Sequence, residues 1–343
     1  MQLSPTSVRM LTAAGLLAFA PVEGKPLRVV TTTSDLMSMV AAIGGDDVRV
    51  SSISSGKQDP HFIEAKPSYI LRLRQTDLFV RIGLQLEIGW ERLVLEGSRN
   101  SKIQPGRLGH LDASAGIHRL EVATGPVDRS LGDVHPEGNP HYWLDPYNGR
   151  IMARTIATRL KELDPANAQK FDERAEAFIH RIDAAMFGAA LLDAVDPERL
   201  WRLHGAAQLE AFIEEHELVA GGWSALLAPH RGARVVTYHR SWSYFLKRFG
   251  LVSVGELEAK PGIAPSPGHL KRLIEMMNQQ AVPLMIVAAF KGDRAPNLVA
   301  ARTGAVVVKV PYSVGGAAEA HDYPAMIDYL VTRVAQGFLA GSD

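Results

Sequence analysis

Cysteine is missing from all 343 residues. That excludes disulfides, thiolate metal sites and cysteine nucleophiles, and it leaves imidazole and carboxylate as the ligands for any transition metal. A surplus of either charge is missing too. Lysine and arginine (37) balance aspartate and glutamate (37), so no overall field favours nucleic acid, an anionic membrane or a polyacid. Beyond the N-terminal leader, no segment approaches the ~20 uninterrupted apolar residues that a membrane span requires. The Gly-x-Ser-x-Gly elbow, the Gly-x-x-x-x-Gly-Lys loop and the Gly-x-Gly-x-x-Gly fingerprint are all lacking, and with them the commonest sequence signs of hydrolase, nucleotide and dinucleotide chemistry. Glu214-Glu-His-Glu217 is not His-Glu-x-x-His and reads as a hydrated helix face.

What remains is the make-up of an ordinary globular protein, 46% hydrophobic and 22% charged, with room for two domains. One positive charge at Arg9, an apolar run from Met10 to Phe19 and an Ala18-Phe19-Ala20 site predict an export signal over residues 1–24, and hence a periplasmic protein. From residue 27 the pattern reads strand (27–32), helix (34–43), strand (48–53), helix (67–74) and strand (78–82). The same order returns at 234–237, 241–249, 252–254, 267–279 and 284–288. Arg28-Val-Val-Thr31 matches Arg234-Val-Val-Thr237, and Lys66-Pro-Ser68 matches Ser266-Pro-Gly268. This predicts two similar α/β lobes with parallel sheets, residues 25–163 and 196–343. Between them, residues 167–186 carry apolar side chains at helical spacing, which predicts a rigid joining helix within 164–195.

Parallel sheets bind ligands at the carboxyl ends of their strands. His61 follows the second strand, His239 follows the first strand of the second lobe, and His141 is framed by Asn139-Pro140 and Asp145-Pro146. Three imidazoles at such positions suit zinc, which usually takes four ligands, and the C-terminal His321-Asp322-Tyr323 offers a fourth. The tryptophans read as packing residues. In the 117–138 loop, which also holds His118, Asp128, Asp133 and Glu137, His135 is the best accessory metal contact and stays outside the main site.

The motifs Asp59-Pro-His61 with Lys66-Pro-Ser68, Asn139-Pro-His-Tyr-Trp-Leu-Asp-Pro146, Val236-Thr-Tyr-His-Arg-Ser-Trp-Ser-Tyr-Phe245 with Arg248-Phe-Gly-Leu251, and Pro261-Gly-Ile-Ala-Pro-Ser-Pro267 resemble the solute-binding proteins of zinc and manganese ABC transporters, the cluster A-I or TroA-like group. The resemblance runs from residue 27 to residue 338. It implies one metal held between two lobes, with the family's first three ligands on His61, His141 and His239 and the fourth on Asp322, or on His321 if the match shifts by one. It implies a membrane permease as partner, with a metallochaperone as a further candidate, a monomer, and no enzymatic activity. Manganese-type members tend to have a carboxylate where this chain has His239, so Zn²⁺ is expected over Mn²⁺. The rival from another class is a zinc hydrolase using water at an open fourth position. Because imidazole binds metal only when neutral, affinity is expected to fall as pH drops through about 6.5.

Overall fold

The computed structural model describes residues 25–125 and 135–341; the proposed leader, and Asp128 and Asp133 of the 117–138 loop, lie outside them. Lobe one runs β1 (Leu27–Thr31), α1 (Ser34–Gly44), β2 (Val48–Ser52), α2 (Pro67–Leu73), β3 (Leu78–Arg81), α3 (Glu91–Ser98) and β4 (His110–Asp112). Its sheet is parallel throughout, in the order β2-β1-β3-β4, with Val29 registered against both Val50 and Leu78. Next come α4 (Pro146–Leu163), α5 (Ala168–Phe187), α6 (Ala189–Ala194), α7 (Pro197–Gly205), α8 (Leu209–Glu215) and α9 (Gly222–Leu227). Lobe two runs β5 (Arg234–Thr237), α10 (Ser243–Phe249), β6 (Val252–Glu256), α11 (Pro267–Gln279), β7 (Leu284–Ala288), α12 (Arg294–Thr303), β8 (Val306–Val310) and α13 (Tyr323–Ala340). Its parallel sheet repeats the order, β6-β5-β7-β8. The expected two-lobe α/β architecture is therefore present, with a fourth strand in each lobe that the repeat pattern did not reveal.

Both faces of each sheet are covered, as parallel sheets require, and alternate side chains divide between two cores. Val29, Leu78 and Val80 of lobe one, and Val235, Leu284 and Ile286 of lobe two, join a single cluster that runs through both lobes. Their neighbours Val30 and Phe79, and Val236, Met285 and Val287, turn outward into separate clusters, one for each lobe. The joining element is α5, whose buried stripe Phe171, Ala175, Phe178, Ile179, Ile182 and Met186 follows helical spacing. Twenty residues span about 30 Å, so α5 packs on α1 of lobe one and α13 of lobe two, and on α4 and α9 between them. It stops at Gly188, whose φ of 78° favours glycine and whose missing side chain lets the backbone of Gly221 approach.

On α7, His204 lies between the rings of Phe187 and Phe249. Burial, reinforced by the guanidinium groups of Arg248 and Arg231, lowers its pKa to about 3. The folded chain therefore keeps this ring neutral while the unfolded chain takes up a proton near 6.5. Stability is lost as pH falls from about 6.5 towards 3, by up to about 1.4 kcal/mol per pH unit. A His204→Phe variant is expected to take up about one proton fewer on unfolding at pH 4.5, measurable as a shallower pH dependence in urea melts.

Candidate metal centre

His61 and His141 are set by the same local device. In Asp59-Pro60-His61 the Asp59 carboxylate accepts the His61 backbone N–H at 3.2 Å and faces its ring Nδ1 at 2.7 Å. In Asn139-Pro140-His141 the Asn139 side-chain oxygen accepts the His141 backbone N–H at 3.0 Å and faces its Nδ1 at 2.7 Å. Proline fixes the middle of each turn, and the side chain two residues before the histidine chooses the tautomer. With Nδ1 donating, Nε2 carries the lone pair that a metal needs. His239, directly after β5, is held likewise, its Nδ1 lying 2.8 Å from Glu258 Oε2. Lys291 ties these supports together across the cleft, 3.2 Å from Glu258 and 3.7 Å from Asp59. Burial raises the pKa of each of these two carboxylates, but the histidine each one holds and Lys291 outweigh it, so both stay ionised below the ordinary range.

The three histidines face one another, with ring centroids 5.1 Å apart for His61 and His141, 5.7 Å for His141 and His239, and 6.2 Å for His61 and His239. His135 joins them. Its Nε2 lies 3.2 Å from His61 Nε2 and its ring centroid 6.4 Å from that of His141. Zinc bonds of ~2.0–2.1 Å in a tetrahedron place ligand atoms ~3.3–3.4 Å apart, so the His61 and His135 nitrogens are already spaced as two such ligands. No three donors among the described residues form a finished coordination sphere, and capture requires the rings to draw inward. His135, His141 and His239 border a cavity of about 50 Å³.

His141 Nε2 is buried without a hydrogen-bond partner, the state of a donor reserved for something else. Burial first, then His61 and His239, lower His135 to about 3, and burial with the surrounding cationic groups takes His141 well below its usual 6.5. Protons therefore compete at these two rings only at pH well below the 6.5 expected from unperturbed histidine.

The structure does not bring Asp322 to this group. Its Oδ1 caps α13 by accepting the Ala325 N–H at 2.9 Å, and its Oδ2 pairs with Arg181 Nη2 at 2.7 Å, beside Met37, Ser38 and Phe178. His321 lies at the same place, its Nδ1 near Glu319 O. The sequence expectation for the fourth position thus falls on a helix cap, and His135, set aside as an accessory contact, stands in the cluster. Asn139 serves both lobes, since its Nδ2 donates to Arg240 O at 2.8 Å. Asn139→Ala is expected to weaken metal binding by about 10–100-fold, the usual cost of losing a group that orients a ligand, read by chelator competition.

The model of the family "Zinc-uptake complex component A periplasmic" matches residues 29–186 and 189–337. Among characterised relatives, the metal ABC transporter substrate-binding lipoprotein ScbA of Streptococcus cristatus is 25% identical over 91% of this chain and 88% of its own. The manganese ABC transporter substrate-binding lipoprotein PsaA of Streptococcus anginosus is 24% identical over 92% of this chain and 90% of its own. A solved structure described as a 138-173 ZnuA deletion mutant plus zinc bound shares the fold, with a TM-score of 0.67 and 24% identity, covering 91% of this chain and 98% of that one.

Proposed function

The chain belongs to the periplasmic zinc-uptake component A family, substrate-binding parts of metal ABC transporters and not enzymes, and from that premise we propose that it captures Zn²⁺ on His61, His135, His141 and His239. The observation that carries this reading is the donor set: four imidazoles meet in the cleft, while of the nearby carboxylates, Asp59 and Glu258 are occupied in holding two of them and Glu121, on the same cavity, accepts from Asn139 and Ser243. Neutral nitrogen donors suit zinc, whereas oxygen donors suit manganese. The cation is cargo. A site closed by four protein ligands leaves no metal-bound water to activate, so binding and transfer to the permease are its chemistry. In this reading the protein works as a periplasmic monomer; no helix among the described residues is long and apolar enough to cross a membrane.

The test is chelator competition with Zn²⁺ and Mn²⁺ on the metal-free chain and two variants. Zinc is expected to bind at least about 100-fold more tightly than manganese. His135→Ala is expected to weaken zinc by at least about tenfold, and Asp322→Ala to leave it within about twofold, since that side chain caps α13. Manganese binding as tightly as zinc would sink the metal assignment. Loss of zinc in Asp322→Ala with none in His135→Ala would return the fourth position to the carboxylate.

A further inference from the structure

A second space lies beside the histidine cluster, beyond Tyr244. Tyr244 separates the two: its hydroxyl accepts the Leu120 N–H at 3.0 Å and donates to Asn139 O at 3.1 Å. The cavity behind it holds about 360 Å³, and its lining includes Tyr147, Arg231, Lys247 and Arg248, with Asp145 as the one carboxylate. At ~30 Å³ per water molecule, that is room for a compact organic molecule. Asp145 is already spent, because Arg248 grips both its oxygens at 2.7 and 2.9 Å. The wall is cationic and excludes a second metal ion.

Two polar groups here lack partners. His204 is 3% exposed and lines the cavity, yet its Nδ1 is buried with no hydrogen bond. Arg231 pairs with Glu210 through Nη2 at 2.9 Å, while its Nε is buried and unpaired. Both of these atoms are closed off from the space itself, so the groups that meet an incoming acceptor are the outer Arg231 guanidinium nitrogens and the Lys247 ammonium. Beside the polar His118 and Asn148, the wall has Ile151, Tyr147 and Tyr244 to offer surface to a carbon skeleton. Guanidinium and ammonium groups with an aromatic wall are the means by which proteins hold carboxylates.

We propose that this cavity binds a small organic polycarboxylate, its carboxylates received by Arg231 and Lys247 and its skeleton lying against Tyr147 and Tyr244. The inference does not depend on the zinc reading. The experiment is calorimetry on the full metal-free chain in low-salt buffer, with citrate, malonate and inorganic phosphate as probes, repeated on Lys247→Ala and Arg231→Gln. Citrate is expected to bind saturably at one per chain, more tightly than phosphate, and to weaken at least about tenfold in each variant while their zinc titrations stay unchanged. Lys247 is exposed, so its variant removes charge without disturbing packing and decides the matter even if Arg231→Gln fails to fold. Absence of saturable citrate binding, or citrate binding that ignores both variants, overturns the site. Phosphate binding as tightly as citrate overturns the polycarboxylate assignment.

Discussion

His141→Ala is expected to weaken zinc binding by about two to three orders of magnitude. Four-ligand zinc sites bind with apparent free energies of roughly 10–16 kcal/mol, about 2.5–4 per ligand, and each ~1.4 kcal/mol is a factor of ten. His141 should stand at the upper end of that range. It is 1% exposed, its Nε2 has no other partner, and its ring is fixed against Trp143 and Tyr312 at centroid distances of 5.4 and 5.6 Å. Held in this way, the His141 ring can stay in place while its neighbours draw in around the ion. Chelator competition on the metal-free variant reads the effect, and an affinity within about threefold of the parent would remove His141 from the site.

The second large effect is structural. Arg150 on α4 is 2% exposed and reaches Asp183 on α5 at 2.9 Å and Glu198 on α7 at 2.6 Å, with its guanidinium 5.4 Å from the centre of the Trp201 ring. Asp183 is itself buried, which raises its pKa, and it also accepts the Trp201 indole N–H at 2.7 Å. Breaking a buried pair strands the surviving charge at a cost of about 3–5 kcal/mol. Arg150→Met is therefore expected to lower unfolding stability by about that amount, and adding Asp183→Leu should recover part of it, because the stranded carboxylate is then gone. Glu198 is half exposed in its side chain, so Glu198→Gln should cost less than about 1 kcal/mol. Urea denaturation with an unchanged m-value is the measurement. A loss below about 1 kcal/mol for Arg150→Met would show that α4, α5 and α7 are not tied through this side chain.

Much of this was legible in the chain itself. Helices α2 and α11 begin where Lys66-Pro67 and Ser266-Pro267 announce them, and β5 and β7 end where the expectation put them. His61 and His239 could be placed because the topology fixes what lies at a strand's carboxyl end. The fourth strands could not be. β4 is only His-Leu-Asp, too short to show a period, and β8 falls after the point where the repeat pattern stops. Asp322 carried a readable contrary signal: aspartate two residues before proline at the start of an apolar helix is a capping arrangement, and the side chain does cap. His135 is harder, because its position depends on backbone pairing between Leu120 and Asn139 and between Ala123 and Pro136, which no local pattern records. A further signal lay in plain view. Asp59-Pro-His61 and Asn139-Pro-His141 are the same tripeptide in two chemical versions, one with a charged orienting group and one with a neutral one.

The core shared by both lobes sets how the molecule comes apart. Val29, Leu78 and Val80 meet one side of the same apolar mass that Val235, Leu284 and Ile286 meet from the other, with Phe171, Phe178 and Phe187 of α5 inside it. Severed from its partner, either half would present that entire face to water, so neither half is a self-sufficient folding domain. Melting should be a single cooperative event, with hydrogen exchange in β1 and in β5 governed by the same global opening.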